Sequence, residues 1–88
     1  DITARSLGSR YLVEFSAGGE NLAETWVETS QDQLDWTRTG RVLRKPPYSF
    51  TLQAAKLPPA ASFVRGVARD ICGNTGHSIP VPLPYAPR

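Results

Sequence analysis

Three groups of side chains in this 88-residue chain could do chemistry. The first is nucleophilic. His77 and Ser78 are adjacent and Asp70 precedes them, which supplies the residue types of a nucleophile, a base and an orienting carboxylate. Such a triad needs the serine and histidine side chains to face each other, and neighbours on a strand point to opposite faces. The close carboxylates Asp32 and Asp35, and Glu24 and Glu28, read as a solvated turn and a strand face. The chain has no Gly-x-Ser-x-Gly elbow, phosphate loop or His-Glu-x-x-His helix. A domain this small also has few walls for a deep pocket. The expectation is a chain with no catalytic residues, not an enzyme by itself.

The second group offers metal ligands. Asp70 and Asn74 could give oxygens to calcium, but calcium takes six to eight, and no other acidic residue is near in sequence. A carboxylate accepting backbone N–H bonds in a turn explains Asp70 more simply. No cofactor is expected, with calcium the one candidate. The single cysteine, Cys72, excludes an internal disulfide, and one Cys with one His builds no zinc site. A lone cysteine reads as a small half-buried hydrophobe, or as a link to a second chain.

The third group is aromatic. Trp36, with Trp26 and Tyr48, could form a platform on which sugar rings stack, and Asp32, Gln33 and Asp35 could bond sugar hydroxyls. Alternatively Trp36 covers a sheet edge or the rim of a core, and the acids belong to a turn. Trp26 also has two readings. It is bulky enough to fill a core, yet it shares a strand face with Glu24 and Glu28. A core position needs a bulge to shift the register; otherwise Trp26 points outward.

Charge is distributed unevenly. Residues 1–37 carry two arginines against seven acids, a net of −5, whereas residues 38–88 carry eight basic residues against Asp70 alone, a net of +7. A basic face for an acidic partner is one reading. The plainer one is that the halves fold together and opposite charges become cross-strand neighbours. Nucleic-acid binding calls for basic residues clustered with aromatics on one face, and the sequence places none there.

The elements that must position these groups follow a period of two. Tyr11, Val13 and Phe15 alternate with Leu12 and Glu14. Ala23, Thr25 and Val27 alternate with Glu24, Trp26 and Glu28. Leu34 and Trp36 are two apart, as are Tyr48, Phe50 and Leu52. Phe63, Arg65, Val67 and Arg69 alternate with Val64, Gly66 and Ala68. Turn residues separate these runs at 17–21, 30–33, Thr39-Gly40, Pro46-Pro47, Pro58-Pro59 and 73–76. Six or seven short strands and no long helical pattern predict an all-β antiparallel sandwich, with room for a brief helical turn within 52–57. Val64, Gly66 and Ala68 face inward in this scheme. The small Gly66 and Ala68 leave space for a bulky residue of the facing sheet, with Trp26 the candidate. Trp26, Tyr48, Phe50, Val64 and Ala68 are the expected core.

The last segment alternates Pro80, Pro82 and Pro84 with Ile79, Val81, Leu83 and Tyr85. In a strand the missing N–H groups all fall on one edge, so the other edge alone can pair. This predicts a terminal edge strand over 79–83, with its apolar residues turned to the core. An extended polyproline-like linker is the alternative. The domain is expected to span 1–83, with 84–88 a linker.

Ordinary apolar and charged content (40% and 20%) allows one modest core, and no apolar run approaches the roughly 20 residues of a membrane span. The chain begins at Asp1, contains no methionine and opens on no apolar leader, which suggests one segment of a longer polypeptide.

Two segments resemble a family. Pro47-Tyr48-Ser49-Phe50-Thr51 is similar to the PYSF strand of bacterial immunoglobulin-like modules. Residues 67–76, reading VARDICGNTG, resemble their penultimate strand and final hairpin. The likeness spans about 40 residues, roughly 47–83, and extends to fibronectin type III-like and cadherin-like sandwiches. In the hairpin, Gly73 and Gly76 would supply positive-φ positions, Asn74 would tolerate one, and Asp70 would cap the turn.

The resemblance implies a non-catalytic immunoglobulin-like accessory module of a secreted or cell-surface multidomain protein. It would act as spacer, domain-docking or protein-interaction unit, with neighbouring domains or another protein as partners. The alternative is a carbohydrate-binding accessory module of a glycan-degrading enzyme, with polysaccharide as partner. A docking domain of a larger assembly would show an apolar patch, expected at Phe63 and Val67 beside Arg65 and Arg69. Neither nucleic acid nor membrane insertion is expected.

Overall fold

A computed structural model describes residues 2–17, 22–58 and 60–84. Within them the chain is an all-β sandwich of two antiparallel sheets. The strands are β1 (Ile2–Leu7), β2 (Arg10–Phe15), β3 (Leu22–Ser30), β4 (Thr37–Leu43), β5 (Tyr48–Gln53), β6 (Phe63–Asp70), β7 (Thr75–His77) and β8 (Val81–Pro82). One sheet has the order β1-β2-β5 and the other β4-β3-β6-β7, with β8 also paired to β6. Among the described residues one 3-10 turn, Ala54–Lys56, follows β5. The expected loop at 17–21 and linker at 84–88 fall largely on residues 18–21 and 85–88, outside the described residues, as do Asp1 and Pro59.

The core lies between the sheets. Val13 and Phe50 of the smaller sheet and Val27 and Val64 of the larger are fully or almost fully buried, joined by Tyr11, Tyr48 and Leu52. Burying a side chain such as Phe50 stabilises the fold by about 1.5–3 kcal/mol. Period two explains the set: alternate residues of each strand reach the core. Thr25 and Thr29 share this inward face with Val27 and are buried. Their hydroxyls are satisfied, Thr25 Oγ1 donating to the Leu43 carbonyl at 2.8 Å and Thr29 bonding the Thr39 hydroxyl at 2.9 Å.

Several expectations are corrected. Trp26 is not the residue that fills the space at Gly66. The ring of Phe15 does so, and Trp26 lies on the outer face of the larger sheet, opposite Val67. Ala68 is half-buried and lies outside the buried core cluster. Leu34 is 82% exposed in a loop, and the strand begins only at Thr37. Gly40 is no inter-strand turn. It sits inside β4 at φ +84, where the β3–β4 register shifts in a bulge. The β1 strand is an element that the period-two reading did not assign.

The proline-rich end is an edge. Phe63 pairs with Pro82 and Val64 with Val81, and the Leu83 N–H donates to the Ser62 carbonyl at 2.8 Å. Val81 and Leu83 pack on the core, but Ile79 does not: it is 84% exposed. The chain leaves the strand path between β7 and β8, so the alternation that would turn Ile79 inward is broken there.

Candidate functional site

The outer face of the β4-β3-β6-β7 sheet gathers the aromatic and charged groups. It is built in rows. Arg38 of β4, Glu28 of β3 and Arg65 of β6 are register partners, and so are Trp26 and Val67, and Glu24 and Arg69. All of these positions belong to the outward parity of their strands.

Glu28 is the node of this face. Its Oε1 accepts bonds from Arg65 Nε and Nη2 at 2.9 and 2.7 Å, and its Oε2 accepts one from Trp26 Nε1 at 3.1 Å. The Glu28 and Arg65 side chains are only 18% and 19% exposed. Arg65 also lies over the ring of Trp36, its guanidinium carbon 4.2 Å from the centroid. Trp26 is covered by Arg38 at 4.1 Å, with Arg69 at 5.6 Å. A planar guanidinium suits this position because it stacks on the ring while keeping its N–H donors in the plane. Glu24 pairs with Arg69 and, at 3.8 Å, with Arg44.

This arrangement decides several expectations about single residues. Trp26 is 5% exposed and Tyr48 belongs to the inter-sheet core, so neither offers a face to a sugar. Trp36 is half-buried beside Arg65 and has no exposed aromatic partner in its plane among the described residues. Val67 is buried under its neighbours and Phe63 is half-buried, so 63–69 forms no open apolar patch. The sequence put no basic residues with aromatics on one face. The fold does, because β4, β3 and β6 become neighbours.

The groups with catalytic residue types are occupied otherwise. Ser78 Oγ accepts the Gly66 N–H at 2.9 Å, and the Ser78 N–H donates to the Gly66 carbonyl at 2.8 Å, continuing the ladder beyond β7. His77 Nδ1 lies 3.1 Å from the Ser78 carbonyl oxygen, not near its hydroxyl. Asp70 Oδ1 accepts the N–H groups of Cys72 and Asn74, both at 2.9 Å, and Oδ2 accepts Asn74 Nδ2 at 3.2 Å. These bonds hold its carboxyl below the usual value, chiefly the backbone bond from Asn74. Gly73 takes φ +89 in the turn. Gly76 does not need its freedom: it pairs with Ala68 in β7, with a negative or extended φ. Cys72 is exposed, not half-buried.

At the opposite end, Asp32 closes the β3–β4 loop. Its Oδ1 accepts the N–H groups of Leu34 and Asp35 at 2.9 and 3.1 Å and the Ser30 hydroxyl at 3.2 Å. The bond from Leu34 is the main cause of its lowered pKa. Among the described residues no three His, Cys, Asp or Glu side chains are close enough to hold a metal, and no helix is long and apolar enough to cross a membrane. Compared with known proteins, the chain matches no family model, no curated protein and no solved structure.

Proposed function

We propose that the chain is a non-catalytic accessory module of a larger secreted or cell-surface protein, which spaces, docks or presents neighbouring domains. One observation carries this reading. The side chains whose types could do chemistry are spent on holding the sandwich together: Ser78 on the ladder, Asp70 and Asp32 on turns, and Glu24 and Glu28 on cross-strand arginines. The strand order supports a relation to the immunoglobulin-like sandwiches. The constant-type arrangement places the fourth strand in the sheet of the first, second and fifth. Here β4 pairs with β3 instead, in the sheet that the variable-type arrangement extends with its added strands.

The reading is tested by nitrogen-15 NMR of the two indole N–H signals during addition of neutral polysaccharides and then calcium. The spacer or docking role predicts slow exchange of the Trp26 indole proton and no localised shift of either signal. The carbohydrate-binding alternative rests on Trp36, the less buried of the two tryptophans, and predicts a saturable shift of its indole with a neutral glycan.

A further inference from the structure

We propose that the outer face of the β4-β3-β6-β7 sheet binds an extended anionic polysaccharide, one bearing sulfate or carboxylate groups along its length. The proposal starts from the layering of charge. Arg38 and Arg65 flank Glu28, and Arg44 and Arg69 flank Glu24. The two carboxylates lie low in the face, with side chains 11% and 18% exposed, whereas Arg44 is 73% exposed. Arg38 is exposed and Arg69 is 43% exposed, while Arg65 at 19% lies as low as Glu28, so an approaching partner meets Arg38, Arg44 and Arg69 before it meets carboxylates. Arg38, Arg44, Arg65 and Arg69 against Glu24 and Glu28 give the face a net of +2, while the rest of the chain sums to zero. The whole net charge of the chain thus sits on this face.

The geometry suits a linear ligand. Each arginine pair straddles one strand, about 10 Å apart at two inter-strand spacings, and the two rows lie four residues apart along β3, roughly 13 Å. Trp26 lies between the rows and holds Arg38 against its ring. Stacking and ion pairing fix Arg38, Arg65 and Arg69 before any ligand arrives, so less side-chain entropy is lost on binding.

Other polyanions fit less well. A protein partner needs an apolar anchor at the centre of its interface, and here Trp26 and Val67 are already covered. Single-stranded nucleic acid is held on open aromatic faces, and reading the sequence of duplex DNA needs an element that enters a groove. A sheet face whose central ring lies under guanidinium groups provides neither. A polysaccharide recognised through its charges requires only the array.

The test is heparin-affinity chromatography of the described chain, with binding to a heparin oligosaccharide measured at several salt concentrations. The double variant Arg38→Glu/Arg44→Glu is compared with Arg10→Glu/Lys56→Glu, which makes the same change in net charge at exposed positions off this face. The proposal expects salt-dependent binding, weakened on the order of tenfold by the first variant and little by the second. Equal weakening by both would reduce the effect to net charge and overturn the site. Absence of heparin binding at low salt overturns it too, as does tighter binding of polyglutamate or single-stranded DNA than of heparin. Circular dichroism of each variant separates lost binding from lost folding. The accessory-module reading is independent of this result, because its own test uses neutral glycans and calcium.

Discussion

Gly66 and Phe15 meet across the two sheets, and a Cβ built on Gly66 would stand 2.7 Å from the Phe15 ring. The Phe15 ring is stacked with Phe50 at 5.5 Å and with Tyr48 at 5.9 Å, so it has little freedom to retreat. Gly66→Ala is expected to destabilise the fold by about 1–3 kcal/mol through overpacking. Adding Phe15→Leu should recover part of that loss, although Phe15→Leu alone is destabilising. Urea unfolding of the four proteins gives the coupling directly. Strictly additive effects would mean that the two residues do not compete for the same space.

Glu28 joins two strands and a tryptophan through one carboxylate. Glu28→Gln keeps the shape but loses the charge-assisted bonds to Arg65, and it is expected to cost about 1.5–3 kcal/mol. The Trp26 indole proton should exchange faster as well. A double-mutant cycle of Glu28→Gln with Arg65→Met checks the assignment, since a coupling energy near zero would show that the pair adds nothing beyond its separate residues.

Acid should loosen both ends of the sandwich. Asp70 and Asp32 have carboxyl groups held below their ordinary value of 3.8 by bonds from turn N–H groups. A depressed folded-state pKa means that this stabilisation is complete above the unfolded value and is lost as pH falls through the lower folded one. Stability is therefore expected to fall as pH drops below about 4. Asp70→Asn should lower the midpoint at neutral pH and flatten the acid slope. Thermal melts of both proteins between pH 2 and pH 7 decide this, because parallel curves would rule the Asp70 carboxylate out as a source of the slope.

The two apolar residues around Pro80 should differ sharply. Ile79 is 84% exposed, so Ile79→Thr is expected to change stability by less than about 0.5 kcal/mol. Val81 packs on the core and pairs with Val64, so Val81→Ala should cost on the order of 1 kcal/mol. Similar losses for both variants would show that Ile79 has packing contacts like those of Val81.

The sequence announced the sandwich through its period of two and its turn residues, because both are local. Alternation puts Phe50 and Val64 on inward faces, whereas the expected core leaves out Val13 and Val27, the latter because a core Trp26 takes the opposite parity. Trp26 shows where locality ends. Its parity with Glu24 and Glu28 pointed outward, and its bulk suggested the core. It is outward and buried at once, because arginines from β4 and β6 fold over it. That cover depends on pairing between residues far apart in the chain. The basic face is hidden for the same reason: Arg38, Arg44, Arg65 and Arg69 are scattered in sequence and become neighbours only through the strand order. Gly40 looked like a turn because glycine marks positive φ without saying whether a loop or a bulge uses it.

The broken last strand has a mechanical consequence. With β7 and β8 sharing one pass, the chain crosses the sandwich seven times, each crossing reversing direction, so the start of β1 and the end of β8 lie at opposite ends of the strands. Tension applied to those ends runs along the strands as shear. At β1 it is resisted by pairing with β2 from Ile2 to Leu7. At β8 it is resisted by two paired residues and the Leu83 bond, next to prolines that donate nothing. The two clasps are unequal: under load β8, with the fewer bonds, shears loose first, and the chain lengthens there while the rest of the larger sheet stays paired.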